Sequence, residues 1–177
     1  MKNNVIRPNL IYALLWSTKG FFLYMLVYMI MTAGVFAIVM CMCRQGRAVY
    51  KISDLSGLSK TAPGLAYALA ILMFSMSGIP PAAGFFSKMI IFNAAVAEEH
   101  YVLAVLGVLA SVVAAYYYLK IIKTMFFDEA ADAFDKDVPF VRRVVLCISV
   151  FFVIAFVVKP SVFINSSISA ASALFVK

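Results

Sequence analysis

One amine stands in an otherwise apolar run. Lys88 follows Phe85-Phe86-Ser87 and precedes Met89-Ile90, and none of these neighbours offers it a counter-charge. Of the charged residues within the apolar spans, it is the one that cannot reach a span's end. It lies about 12 residues from His100, roughly 18 Å along a helix, and its side chain extends only about 6 Å. The bland alternative, snorkelling to an interface, is therefore hard unless water comes in to meet the amine. Placing Lys at the centre of a bilayer costs about 2.5–3.5 kcal/mol on insertion scales. A Lys kept from water passes readily between its charged and neutral forms. Such a group can load and release a proton within one cycle, which is the chemistry of a proton relay.

The residues ahead of Lys88 explain how water or a proton reaches that depth. Gly64 to Met76 is apolar, then Ser77-Gly78-Ile79-Pro80-Pro81 interrupts, and Ala82-Ala83-Gly84-Phe85-Phe86-Ser87-Lys88 follows. Two prolines remove two backbone donors and clash with the preceding turn. Gly78 and Gly84 relax the chain on either side of them. The segment is predicted to break at Pro80-Pro81, with neither half long enough to span alone. A break at membrane depth leaves backbone groups unpaired, and these are tolerated only inside protein or along a wet cavity. Broken helices of this kind occur in ion transporters. Ser75, Ser77 and Ser87 flank the break and either satisfy the freed backbone or hold water. Tyr116, Tyr117 and Tyr118 fit an aromatic belt, with Tyr117 and Lys120 as possible relay contacts. Lys120 and Lys123 lie near enough to a helix end to snorkel, and Ser111 reads as a helix-packing residue.

The elements that hold these residues are predicted to be all helical. Residues 1–20 read as the tail of a helix whose beginning is missing. Phe21 to Cys43 is long enough to span, about 20 apolar residues at a rise near 1.5 Å each, and Arg44 to Arg47 ends it. A polar link leads to Pro63, which suits a helix's first turn. The broken helix covers 64–97, the third span 101–127 and the fourth 142–159; residues 161–177 read as a short interfacial helix. The fold class is a polytopic transmembrane helix bundle with a Pro/Gly-broken helix. Nine of the fifteen Lys and Arg belong to the loops after the first and third spans, and five to the opposite side. The positive-inside tendency then places the C-terminus on the outer side.

Composition agrees with lipid as solvent. The 177 residues are 65% hydrophobic and 13% charged, whereas soluble domains are about half apolar and a quarter charged. The net charge of +7 fits basic residues clustered on one membrane face. Nucleic acid is a poor partner, because the longest basic cluster is Arg142-Arg143. Cys41, Cys43 and Cys147 with the single His100 complete no metal pattern, and read as small apolar helix residues. No phosphate loop, nucleophile triad or haem ligand pair is present, so no cofactor is expected in this chain.

The run Met73-Phe74-Ser75-Met76-Ser77-Gly78-Ile79-Pro80-Pro81-Ala82-Ala83-Gly84-Phe85-Phe86-Ser87-Lys88 resembles the signature of the antiporter-like subunits of respiratory complex I, the proton-pumping NADH:quinone oxidoreductase. Tyr24 to Val39, Asp54-Leu55-Ser56-Gly57-Leu58 and Ser111 to Lys120 are similar too. Lys88 followed by Met89 and Ile90 favours subunit 2 (chain N in bacteria) over its sister subunits. The resemblance implies an inverted-repeat fold with a broken helix in each repeat, and it puts the family's proton-channel Lys on Lys88. It implies a multi-pass protein of the bacterial inner membrane or its mitochondrial counterpart. Its partners would be the other membrane subunits, among them a chain carrying the missing N-terminal repeat, with quinone and NADH handled elsewhere in the complex. Two other readings are a subunit of a multisubunit Na⁺/H⁺ antiporter and a non-pumping structural fragment.

Overall fold

The computed structural model describes residues 8–44, 46–48, 50–135 and 139–163, with the side chains of 8–19 left aside. Helix α1 runs without interruption from Pro8 to Val39. The expected start at Phe21 is thus corrected. Ser17-Thr18-Lys19-Gly20 separates the apolar run before it from the one after, but its one Gly costs a helix only about 1 kcal/mol, too little to end it. Gly20 instead lets α1 approach its neighbour: a Cβ there would lie 2.5 Å from the Cγ2 of Ile90. Residues 1–7 lie outside the described set.

Beyond α1 the expected helix to Cys43 gives way to a small hairpin. Strands β1 (Cys43–Arg44) and β2 (Arg47–Ala48) pair antiparallel, turning at Gly46 with φ +73°, a left-handed conformation that glycine adopts without strain. The link to the next span is not plain coil either. It holds a 3-10 turn at Ile52–Leu55 and the short helix α2 at Leu58–Thr61. Leu55 and Leu58 are buried beneath it.

Helix α3 (Pro63–Ser77) begins with Pro63 in its first turn and ends at Gly78 with φ +81°. Helix α4 (Ala83–Ala97) resumes after the prolines, whose mutual peptide bond is cis. Helix α5 covers Tyr101–Phe127 and α6 covers Phe140–Val158. The fourth span therefore starts two residues before Arg142, directly after Pro139, which cannot itself donate to the turn. A helical stretch at 160–163 follows; the rest of the expected interfacial helix, 164–177, lies outside the described residues.

Helix α1 packs against α4, α6 and α3, while α3 packs against α5. The core joins Leu23, Val27 and Met31 of α1 to Leu69 and Leu72 of α3 and to Val153 and Phe156 of α6. At the α1–α6 crossing, a Cβ on Gly34 would lie 2.6 Å from the Cβ of Ser149, the close approach that small residues allow between membrane helices. Among the described residues three helices are long and apolar enough to cross a membrane, and α3 and α4 are shorter apolar helices in series. The outer face of α5 exposes Val105, Leu109, Val112 and Val113. Water would penalise that face and lipid does not.

One end of the bundle is stitched together. The Asp135 N–H donates to Cys43 O at 2.8 Å, Gly46 N–H to the Asp135 carboxylate at 3.0 Å, and Ala131 N–H to Ser56 O at 2.9 Å. Arg44 pairs with Asp54 at 3.3 Å, donates to its carbonyl at 3.0 Å, and lies 5.1 Å from the centre of the Phe134 ring. Arg142 adds a bond to Met40 O. The loops after α1 and after α5 therefore share one face. Gly57 is its tightest point, with φ +61° and room for no Cβ, since one would lie 2.4 Å from Cα of Ala130. Gly57→Ala is expected to destabilise the fold by about 2 kcal/mol, from overpacking plus left-handed strain. Thermal unfolding in detergent checks this, and an unchanged midpoint would show the two loops are not rigidly joined.

Candidate functional site

The break is built from overlapping ends. Residues 75–78 lie against 84–88, close enough that a Cβ on Gly84 would sit 1.9 Å from the Ser75 carbonyl oxygen. Ser75 is fully buried. Its hydroxyl accepts the Gly84 N–H at 3.3 Å, and its carbonyl accepts the Gly78 N–H at 3.2 Å. The Ser77 hydroxyl donates to Phe74 O at 2.7 Å, and that of Ser87 to Gly84 O at 3.1 Å. Each serine thus pairs with backbone at or beside the gap.

Lys88 is held by the same gap. Its Nζ donates to the carbonyl of Met76 at 3.0 Å. In an unbroken helix that carbonyl would accept from the N–H four residues on. The residue there is Pro80, which has no N–H. The proline creates the acceptor, and Lys88 fills it from one turn into the next helix. Gly78 lines the route: a Cβ there would come within 3.5 Å of Nζ. Pro80 and Pro81 themselves face outward, beside Ile154 and Val157.

Lys88 also lines two cavities. The larger, about 370 Å³, lies between α4 and α5, bounded by Ser77, Phe85, Phe92, Asn93 and Val112. The smaller, about 230 Å³, lies towards α1 and is bounded by Tyr24, Tyr28, Ser87, Ser111 and Tyr118. Ser111, read from the sequence as a helix-packing residue, lines both cavities. Tyr117 and Lys120 are exposed and line neither. It is Tyr118, on the adjacent face of α5, that lines the smaller cavity. A helix turns 100° per residue, and a run of three identical tyrosines hides which one points inward. Tyr24, Tyr28 and Asn93 also line these cavities, although nothing in their residue types singles them out as site residues. The tyrosines are four apart on one helix face, their rings stacked 5.8 Å apart, and that spacing was the available signal. Among the described residues no group of three or more His, Cys, Asp or Glu converges to hold a metal.

Residues 9–114 match the family model described as NADH:quinone oxidoreductase/Mrp antiporter, transmembrane. The chain belongs to that antiporter family. Its broken helix and Lys88 both lie inside the matched region. Within the family the chain is similar to NADH-quinone oxidoreductase subunit N of Paramagnetospirillum magneticum, with 45% identity over 157 residues, 89% of this chain and 32% of that one. Subunit N of Parvibaculum lavamentivorans is 48% identical over 158 residues, 89% of this chain and 33% of that one. The chain thus spans about a third of the length of these antiporter-family relatives. A chain of respiratory complex I from Thermus thermophilus shares the fold, with a TM-score of 0.71 and 27% identity over 87% of this chain and 36% of that one. As a member of this family with three helices, among the described residues, long and apolar enough to cross a membrane, the chain is a multi-pass membrane protein.

Proposed function

We propose that this chain is part of the membrane arm of a proton-pumping NADH:quinone oxidoreductase in a bacterial inner membrane, and that Lys88 carries protons there. One observation carries the reading: an amine at membrane depth, bonded to the carbonyl that Pro80 leaves free, with a cavity on either side of it. A single neutral acceptor holds the ammonium without fixing its charge. An ion pair would resist deprotonation, whereas a carbonyl lets the amine lose its proton and stay in place. The relatives' names support complex I over a Na⁺/H⁺ antiporter. The other membrane subunits of the complex would surround the chain as partners. Quinone reduction elsewhere in the complex would drive the transfer.

Lys88→Arg tests this most selectively. Arg keeps the positive charge and the donor but does not release its proton at physiological pH. In inside-out membrane vesicles of cells carrying the variant, NADH-driven acidification is expected to drop severalfold while the assembled complex stays at its normal level. Full acidification with Arg would mean that charge alone is needed and that Lys88 carries no proton.

A further inference from the structure

We propose that the outer side of the broken helix is a docking face for an apolar transmembrane helix of another subunit, and that a side-chain donor on that helix satisfies the carbonyls of Pro80 and Pro81. The inference rests on the reading that the chain sits in a membrane assembly, and it does not need Lys88 to carry protons. The break has two sides. On the inner one, Lys88 and Ser75 answer the freed backbone. On the outer one the bonds run out. Ile79 O accepts the Ala82 N–H and Ala82 O accepts the Phe85 N–H, each at 3.0 Å. The carbonyls of Pro80 and Pro81, between them, accept from nothing among the described residues.

Both prolines are exposed, and they lie near mid-span. The fifteen residues of α3 are on one side of them and the fifteen of α4 on the other, roughly 22 Å of helix each. Irregular backbone at that depth does not face hydrocarbon; it is covered by protein or lines a wet cavity. The space beside the prolines is not built for water. A groove of about 360 Å³ runs past them, walled by Ile71 and Phe74 of α3 and by Ile154 and Val157 of α6, and none of its lining side chains is polar. A cavity with such walls stays dry. A lipid acyl chain would suit the walls but has no hydrogen to donate. A helix meets both demands. Its apolar side chains fill the groove, and a Ser, Thr, Asn or Gln on the same face bonds across to the carbonyls.

The test keeps the complex assembled. A photoreactive benzophenone amino acid replaces Ile154, an exposed residue of the groove wall, and native membranes are illuminated. The expected product joins this chain to a transmembrane segment of another subunit, identified by mass spectrometry, with one of those donor residues on the face that carries the adduct. Ile154→Trp reads the same surface without a label. It adds bulk to a side chain that points outward, so the chain itself still folds, but the incoming helix is pushed away. The fraction of the chain found in assembled complex is expected to fall about tenfold. Ile154→Leu, which conserves volume, is expected to assemble normally. Adducts to lipid alone, to a second copy of this chain or to no peptide would overturn the proposal, as would normal assembly of Ile154→Trp. Any of these in a chain that still co-purifies with other membrane subunits would leave the membrane-arm reading standing. A chain that co-purifies with none would remove that reading and the docking face with it.

Discussion

Lys88→Met is expected to abolish the share of proton pumping that passes through this chain, leaving the subunit assembled. Methionine matches the length of the lysine stem and fills irregular space, so the packing against Gly78 and Phe85 survives. What disappears is the group that can carry a proton and the donor to Met76 O. That carbonyl, already without the N–H of Pro80, would then be unsatisfied unless water from the smaller cavity reaches it. Leaving a buried acceptor unpaired costs about 1–3 kcal/mol, against which the removal of a charge from membrane depth gains about 2.5–3.5 kcal/mol. Stability should therefore change little while transport falls. The measurement is NADH-driven acidification of inside-out vesicles beside the amount of assembled complex in the same membranes. Loss of both together would mark Lys88 as structural, and normal acidification would remove it from the mechanism.

Gly84→Ala is expected to do the reverse, removing the fold of the break before any question of chemistry arises. The added Cβ would sit 1.9 Å from the Ser75 carbonyl oxygen and 2.9 Å from its carbon. Both are backbone, so neither can rotate aside. Relief requires α4 to move away from the end of α3, which strips the Ser75 hydroxyl from Gly84 N–H and draws Lys88 off Met76 O. Overpacking alone costs about 1–3 kcal/mol, and the separated backbone groups add to it in a medium without water. The assembled amount of the chain should fall severalfold in the native membrane. Quantitative detection of the chain in solubilised complex checks this; wild-type assembly with wild-type pumping would mean the two helix ends are looser than the overlap at 75–78 and 84–88 implies.

Much of the site was legible in the order of residues. The interruption at Gly78 to Ala82 follows from proline's missing N–H, and the oddity of Lys88 from the absence of any neighbouring charge. Even the bond to Met76 follows from counting four residues back from Pro80, although it takes the overlap of the two helices to bring the amine there. The hairpin after α1 was not legible. Cys43–Arg44 and Arg47–Ala48 are too short to show an alternating pattern, and their pairing is fixed by Asp135, nearly ninety residues later. The extension of α1 back to Pro8 was not legible because the apolar run Leu10–Trp16 is too short to span and Ser17-Thr18-Lys19-Gly20 interrupts it, yet a lone glycine does not break a helix that has a neighbour to pack against.

By itself the sequence determined that this protein lives in lipid, that one of its spans is broken, and that an amine sits beside the break. Hydropathy, proline chemistry and the cost of a membrane charge are local properties, and a linear string contains them. Only the tertiary structure decided what faces that amine. Tyr24, Tyr28, Ser111 and Tyr118 come from two helices that approach Lys88 across a gap, and which member of a tyrosine triplet points inward depends on the rotation of α5 about its axis. That rotation is set by contacts with α3 and α4, spread along whole helices, and no single residue announces it.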